Sequence, residues 1–221
     1  MRGLFHASTG IAGWVALHFL GVSLEMGGIL LFSVGTVLFL ADQYRVWLSQ
    51  NGINVVGWLG RANHWVARNW ARDTEARHPS SVTPSLLGFS VVWLVCWATT
   101  TPWIAAASCL LFSLVDPVAK LGRYWPIKRI DAGLGRGKSW GGLLYGGLAG
   151  MAGCACVIIA HLTLQPFFPS DLELWQVAVI YLAGVSTASF VELIGGKADN
   201  FLIPAASSLV MVLSYAIARI F

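Results

Sequence analysis

The sequence predicts an all-α polytopic membrane protein, a single domain over residues 1–221 with about seven transmembrane spans and an interfacial amphipathic helix. Three observations carry that expectation. Apolar residues make up 57% of the chain and charged residues 11%, against roughly 25% charged in soluble domains. The apolar residues gather into runs near the length of about 20 residues that crosses a bilayer core. All but Arg219 of the 14 Lys and Arg then fall on one side when seven runs are threaded back and forth, as the positive-inside bias requires.

The spans expected in order are Ser8–Leu24, Met26–Leu48, Pro84–Thr99, Pro102–Val115, Gly141–Leu164, Leu174–Ile194 and Phe201–Ile220. Several are short, so tilting or burial within the protein is expected. Between the second and third, Val55–Trp70 places Val55, Trp58, Leu59, Ala62, Trp65, Val66 and Trp70 on one helical arc and Arg61, Arg68 and Arg72 on another edge. That pattern fits a helix lying in the headgroup layer with its arginines on lipid phosphates. The Lys/Arg bias puts the N-terminus and the charged loops in the cytoplasm. No cleavable signal peptide is expected after Met1-Arg2. Cys96, Cys109, Cys154 and Cys156 lie in apolar runs without CxxC spacing and read as buried structural thiols.

Charge is concentrated in Leu114–Gly142, which holds Asp116, Lys120, Arg123, Lys128, Arg129, Asp131, Arg136 and Lys138 among glycines. Ionisable groups at membrane depth are costly and mark function. Asp116 is expected where the fourth span meets the cytoplasm, Glu192 in the last turn of the sixth, and Asp199 just beyond the Gly195-Gly196-Lys197 turn. Three carboxylates at one depth beside a Lys/Arg-rich glycine loop suit nucleotide phosphates: the acids hold Mg2+, and the bases neutralise the remaining charge. The alternative for each acid is a simple ion pair with a neighbouring Lys or Arg.

Gly135–Ser139 (GRGKS) has the outline of a phosphate loop, but the position of its first glycine is Ala132, and a membrane span precedes it rather than a strand. The P-loop fold is therefore excluded, while glycine N–H groups and Lys138 at a helix start still suit a phosphate. Ser139 also reads as an N-cap. Among the histidines His6 is the functional candidate, since it lies beside the charged loops; no pair has zinc-ligand spacing.

Four stretches, in order, resemble one family. Arg2–Gly10 (RGLFHASTG) is similar to its R-K-x-x-H opening, Asp116–Arg123 (DPVAKLGR) to its D-x-x-A-x-x-x-G-R element, Lys138–Gly142 (KSWGG) to K-S-W-x-G, and Asp199–Pro204 (DNFLIP) to D-N-x-x-x-P. The family is the CTP-dependent lipid kinases (dolichol kinase, phytol kinase and the yeast-type diacylglycerol kinase), distantly similar to phosphatidate cytidylyltransferases. Gly3, Lys120 and Gly141 depart from its pattern, which bears on the choice of acceptor.

The resemblance implies transfer of the γ-phosphate of CTP to a polyprenol- or phytol-type alcohol or to diacylglycerol. On this reading Asp116, Lys138 and Asp199 are catalytic, and Asp116, Asp199 and Glu192 hold Mg2+. Gly122, Arg123, Lys128, Arg129, Gly135, Gly137, Lys138 and Ser139 bind the nucleotide, with His6, Glu75 and Asn200 in support. The partners expected are CTP and a lipid alcohol in the bilayer, with no nucleic acid. Small residues at Gly142, Gly146 and Gly150 anticipate close helix packing, within the chain or in a homo-oligomer. The rival readings are CMP transfer of the cytidylyltransferase kind and a non-enzymatic transporter or scaffold.

Overall fold

A computed structural model describes residues 11–13, 15, 23–51, 82–125, 127–130, 138–163 and 172–220. Long apolar runs in a membrane must satisfy their backbone polar groups internally, which selects helix. The described residues form α1 (Leu24–Gln50), α2 (Val82–Ala98), α3 (Pro102–Ala119), α4 (Trp140–Thr163), α5 (Leu174–Ile194) and α6 (Asp199–Ala218). Short 3-10 turns, Lys120–Arg123 and Gly196–Ala198, follow α3 and precede α6.

Five stretches among the described residues are long and apolar enough to cross a membrane: Leu24–Leu48, Pro102–Gly122, Trp140–Ile159, Leu174–Ile194 and Asp199–Ala218. They match the second and the fourth to seventh spans expected from sequence. The third is apolar but shorter, over Pro84–Ala98. Most of the first span, Ser8–Leu24, and all of the interfacial helix at Val55–Trp70 lie outside the described residues.

One boundary differs with consequence. The fourth span was expected to stop at Val115, ahead of Asp116-Pro117, yet α3 continues to Ala119. Proline removes one helical donor, here the one that would serve the Ser113 carbonyl, and a last turn tolerates that loss. Asp116 therefore stands inside the helix, one turn before its end, with its side chain buried.

The apolar core centres on α3, which touches α2, α4, α5 and α6; α1 packs mainly on α2. Val92, Ile104, Leu111, Phe112, Val115, Ile180, Ile203 and Met211 are fully or almost fully buried there, and Phe89 meets Phe112 edge to face at 5.1 Å. Successive helices run antiparallel: Gly28 lies against Leu94 and Gly35 against Leu87, while Gly146 lies against Ala119 and Gly153 against Leu110. The C-terminal ends of α1, α3 and α5 thus share one end of the bundle with the starts of α2, α4 and α6.

Large apolar side chains also face outward, among them Ile29, Phe32, Val37, Leu148, Val179 and Leu213. Exposed aromatics cluster at both ends, Tyr44, Trp47, Tyr124, Trp125 and Trp140 at one and Trp97 and Trp175 at the other. Such girdles mark the two bilayer surfaces. The protein is an integral membrane protein. Cys96, Cys109 and Cys154 are buried free thiols as expected, but Cys156 is exposed, which corrects the expectation of four buried cysteines. Two residues after Cys154 on a helix, it points to another side.

Candidate functional site

The charged end of the bundle brings three helices together. α3 supplies Asp116 one turn before its end, α5 supplies Glu192 in its last turn, and α6 opens with Asp199. Gly196, at φ +58°, allows the α5–α6 turn to reverse within the four residues 195–198 and return Asp199 beside Glu192. One oxygen from each of the three carboxylates lies within 4.8 Å of the others. Asp116 and Glu192 are buried and Asp199 is half-buried.

Lys138 ties two of these helices to the start of α4. Its ammonium donates to Glu192 Oε1 at 2.6 Å, to the Glu192 carbonyl at 2.8 Å and to Asp199 Oδ2 at 3.3 Å. The carbonyl sits in the last turn of α5, where helical partners run out and a cation also meets the dipole favourably. Asp199 Oδ1 accepts the Asn200 N–H at 2.8 Å. Lys120, on the opposite wall, donates to Asp116 Oδ2 at 2.5 Å. Three carboxylates thus face two ammonium groups, with the Arg129 guanidinium on the adjoining cavity.

A cavity of about 140 Å³ opens onto this cluster, lined in part by Lys120, Gly122, Arg129, Lys138, Ser139 and Glu192. Its floor is a tight backbone crossing. A Cβ on Gly122 would stand 2.3 Å from the Gly142 nitrogen and 2.6 Å from Ser139 Oγ, so only glycine fits. Ser139 caps α4, its Oγ accepting the Gly142 N–H at 3.1 Å and donating to the Gly122 carbonyl at 2.9 Å. The hydroxyl thus fastens the 3-10 turn to the helix start. A short antiparallel clip, Arg129 against Ser139, closes the intervening loop with bonds from Ile130 N to Lys138 O and from Trp140 N to Lys128 O.

Of the residues expected at the site, Asp116, Gly122, Arg129, Lys138, Ser139, Glu192 and Asp199 come together. Asn200 is buried beside Asp199. The Lys128 side chain is exposed and does not line the cavity. Arg123 is described by its backbone alone, in the turn beside Gly122. His6, Glu75, Gly135 and Gly137 lie outside the described residues. The sequence reading gave no role to Lys120, although Asp116 and Lys120 stand four apart in a helical run, the spacing at which opposite charges meet. The small-residue stripe is used within the chain: Gly142 and Gly146 pack on Ala119, and Gly150 on Val185.

The donor set passes a test of fit to a hard divalent cation. All candidate ligands are carboxylate oxygens, which suit Mg2+ or Ca2+ rather than softer metals. Any three oxygens on an octahedral Mg2+ include at least two adjacent pairs, each about 2.9 Å apart, so a group spanning at most 4.8 Å draws in by up to about 2 Å to hold the ion directly. No family model, curated protein or solved structure matches the chain.

Proposed function

We propose that the protein is a membrane lipid kinase that transfers the γ-phosphate of CTP to the hydroxyl of a polyprenol- or phytol-type alcohol or of diacylglycerol. The observation that carries the reading is the meeting of Asp116, Glu192 and Asp199, from three helices, with Lys120 and Lys138, beside a cavity that Glu192 and both lysines line. The stretches that resemble the CTP-dependent lipid kinases support it. Asp116–Arg123, Lys138–Gly142 and Asp199–Pro204 are remote in sequence, yet each contributes to this one cluster.

In this reading Lys138 and Arg129 hold the triphosphate. Mg2+ held by Asp116, Asp199 and Glu192 would neutralise the charge that develops on the transferring phosphoryl group. The alcohol oxygen attacks the γ-phosphorus, the bond from that phosphorus to the bridging β,γ-oxygen breaks, and CDP leaves. Asp116 or Asp199 orients the hydroxyl and accepts its proton. The chain's contribution is chiefly positioning and charge complementarity. The positive-inside bias puts the site and the N-terminus on the cytoplasmic side, where CTP is made available.

Isotope position tests the reading. Purified protein is given Mg2+, mixed lipids and CTP labelled at either the α- or the γ-phosphate. The kinase puts γ label into the lipid fraction and leaves α label in the nucleotide. Lipid-borne α label would identify CMP transfer instead, and no label in lipid would return the protein to the transporters and scaffolds.

A further inference from the structure

The charged cavity has an apolar counterpart on the other side of the same helix junction. Val118 and Leu121, Trp125 just beyond, and Tyr145, Leu148 and Ala149 of α4 line a hollow of about 420 Å³. The Tyr145 hydroxyl is held within the protein, donating to the Trp125 carbonyl at 3.1 Å. Leu121, Trp125 and Leu148 are exposed along its rim. The two spaces share one stretch of chain: Ala119, Lys120 and Gly122 border the charged cavity, while Val118 and Leu121 border the apolar one. Gly122 and Gly142, which meet closely, both lie on the charged side.

We infer that this hollow holds one hydrocarbon chain of a membrane amphiphile, with its polar head at the bilayer surface beside Trp125. The inference rests on the reading of the charged cavity as a site of transfer to a membrane alcohol. α3 and α4 belong to membrane-spanning stretches, so an outward-facing hollow beside them is surrounded by lipid chains. Its lining is mostly aliphatic and aromatic carbon, which favours hydrocarbon over water. Trp125, Tyr124 and Trp140 mark the bilayer surface at this end, and Tyr145, Leu148 and Ala149 follow on α4 within the next turns toward the membrane interior. A single chain lying there has its head at the depth of Lys120 and Lys138. Ala149 keeps the hollow open, where a larger side chain would fill it.

Photolabelling tests this without relying on turnover. The protein is reconstituted with a long-chain alcohol carrying a diazirine, irradiated and mapped by peptide. The expected result is labelling at 118–125 and 145–149 several-fold above that on the exposed face of α1 around Phe32 and Val37. Ala149→Trp and, as a second variant, Leu148→Trp should each bring that excess down to the α1 level while the protein remains monodisperse. Uniform labelling around the bundle, or an excess indifferent to both substitutions, overturns the inference. Cross-links joining two copies through α4 also overturn it, in favour of a second chain as occupant. Focused labelling in a protein that transfers no γ-phosphate keeps the chain-binding site and removes the kinase reading alone.

Discussion

Lys138 has three N–H donors, and all three are engaged, by two oxygens of Glu192 and one of Asp199. A phosphate that binds this ammonium must displace at least one of them, and a cation shared by the carboxylates makes that exchange easier. The exchange needs the start of α4 to be held in place, which is the work of Gly122. Gly122→Ala puts a methyl group 2.3 Å from the Gly142 nitrogen, a backbone clash that no rotamer relieves. The substitution is expected to cost about 1–3 kcal/mol or more, seen as a fall in thermal stability in detergent together with loss of transfer. Gly147→Ala is the control, since its Cβ would meet only Ser189 Oγ at 3.6 Å; it is expected to be neutral or to stabilise by up to about 1 kcal/mol, the cost of glycine inside a helix. Equal tolerance of both substitutions would contradict the close crossing. This constraint could not be read in the sequence, where Gly122 is one glycine among several and its partner lies 20 residues on.

The helices themselves were legible because each is an apolar run of bilayer length, and Leu174–Ile194 coincides with its expected bounds. Their ends were less so. Asp116-Pro117 reads as a stop, but the helix carries both residues inward, and this turns a boundary acid into a buried one. The α2–α3 connection is a further case in which local chemistry departs from custom. Thr101 N bonds Cys96 O at 2.8 Å and Thr100 N bonds Trp97 O at 3.1 Å, the paired bonds of a Schellman end. Thr100, at φ +52°, occupies the left-handed position where glycine is usual. Left-handed backbone costs an L-residue about 1–2 kcal/mol, partly offset by the greater freedom of glycine when unfolded. Thr100→Gly is therefore expected to stabilise the protein by roughly 0.5–1 kcal/mol, with transfer unchanged because this turn lies at the opposite end from the site. A lowered melting temperature would count against the strain.

Across the whole molecule, threading successive spans predicts that residues far apart in sequence share one bilayer face. Asp116, Glu192 and Asp199 do meet, because α3, α5 and α6 pack around one core and end or begin at the same level. Composition and periodicity hold that much. They do not hold side-chain pairing: the contact of Lys120 with Asp116, and of one lysine with two helices, depends on distances of a few ångströms that apolar patterning leaves open. The central claim is that these carboxylates serve phosphoryl transfer rather than structural ion pairing alone. Its most direct test is the rate of γ-phosphate transfer from CTP to lipid at saturating Mg2+, measured for the protein and for Asp116→Asn, which keeps the shape of the side chain and removes its charge. The account predicts measurable transfer by the parent and a loss on the order of 10²–10³-fold or more in the variant, with the variant still folded and monodisperse. Equal rates in the two proteins, or no transfer by the parent, would contradict it.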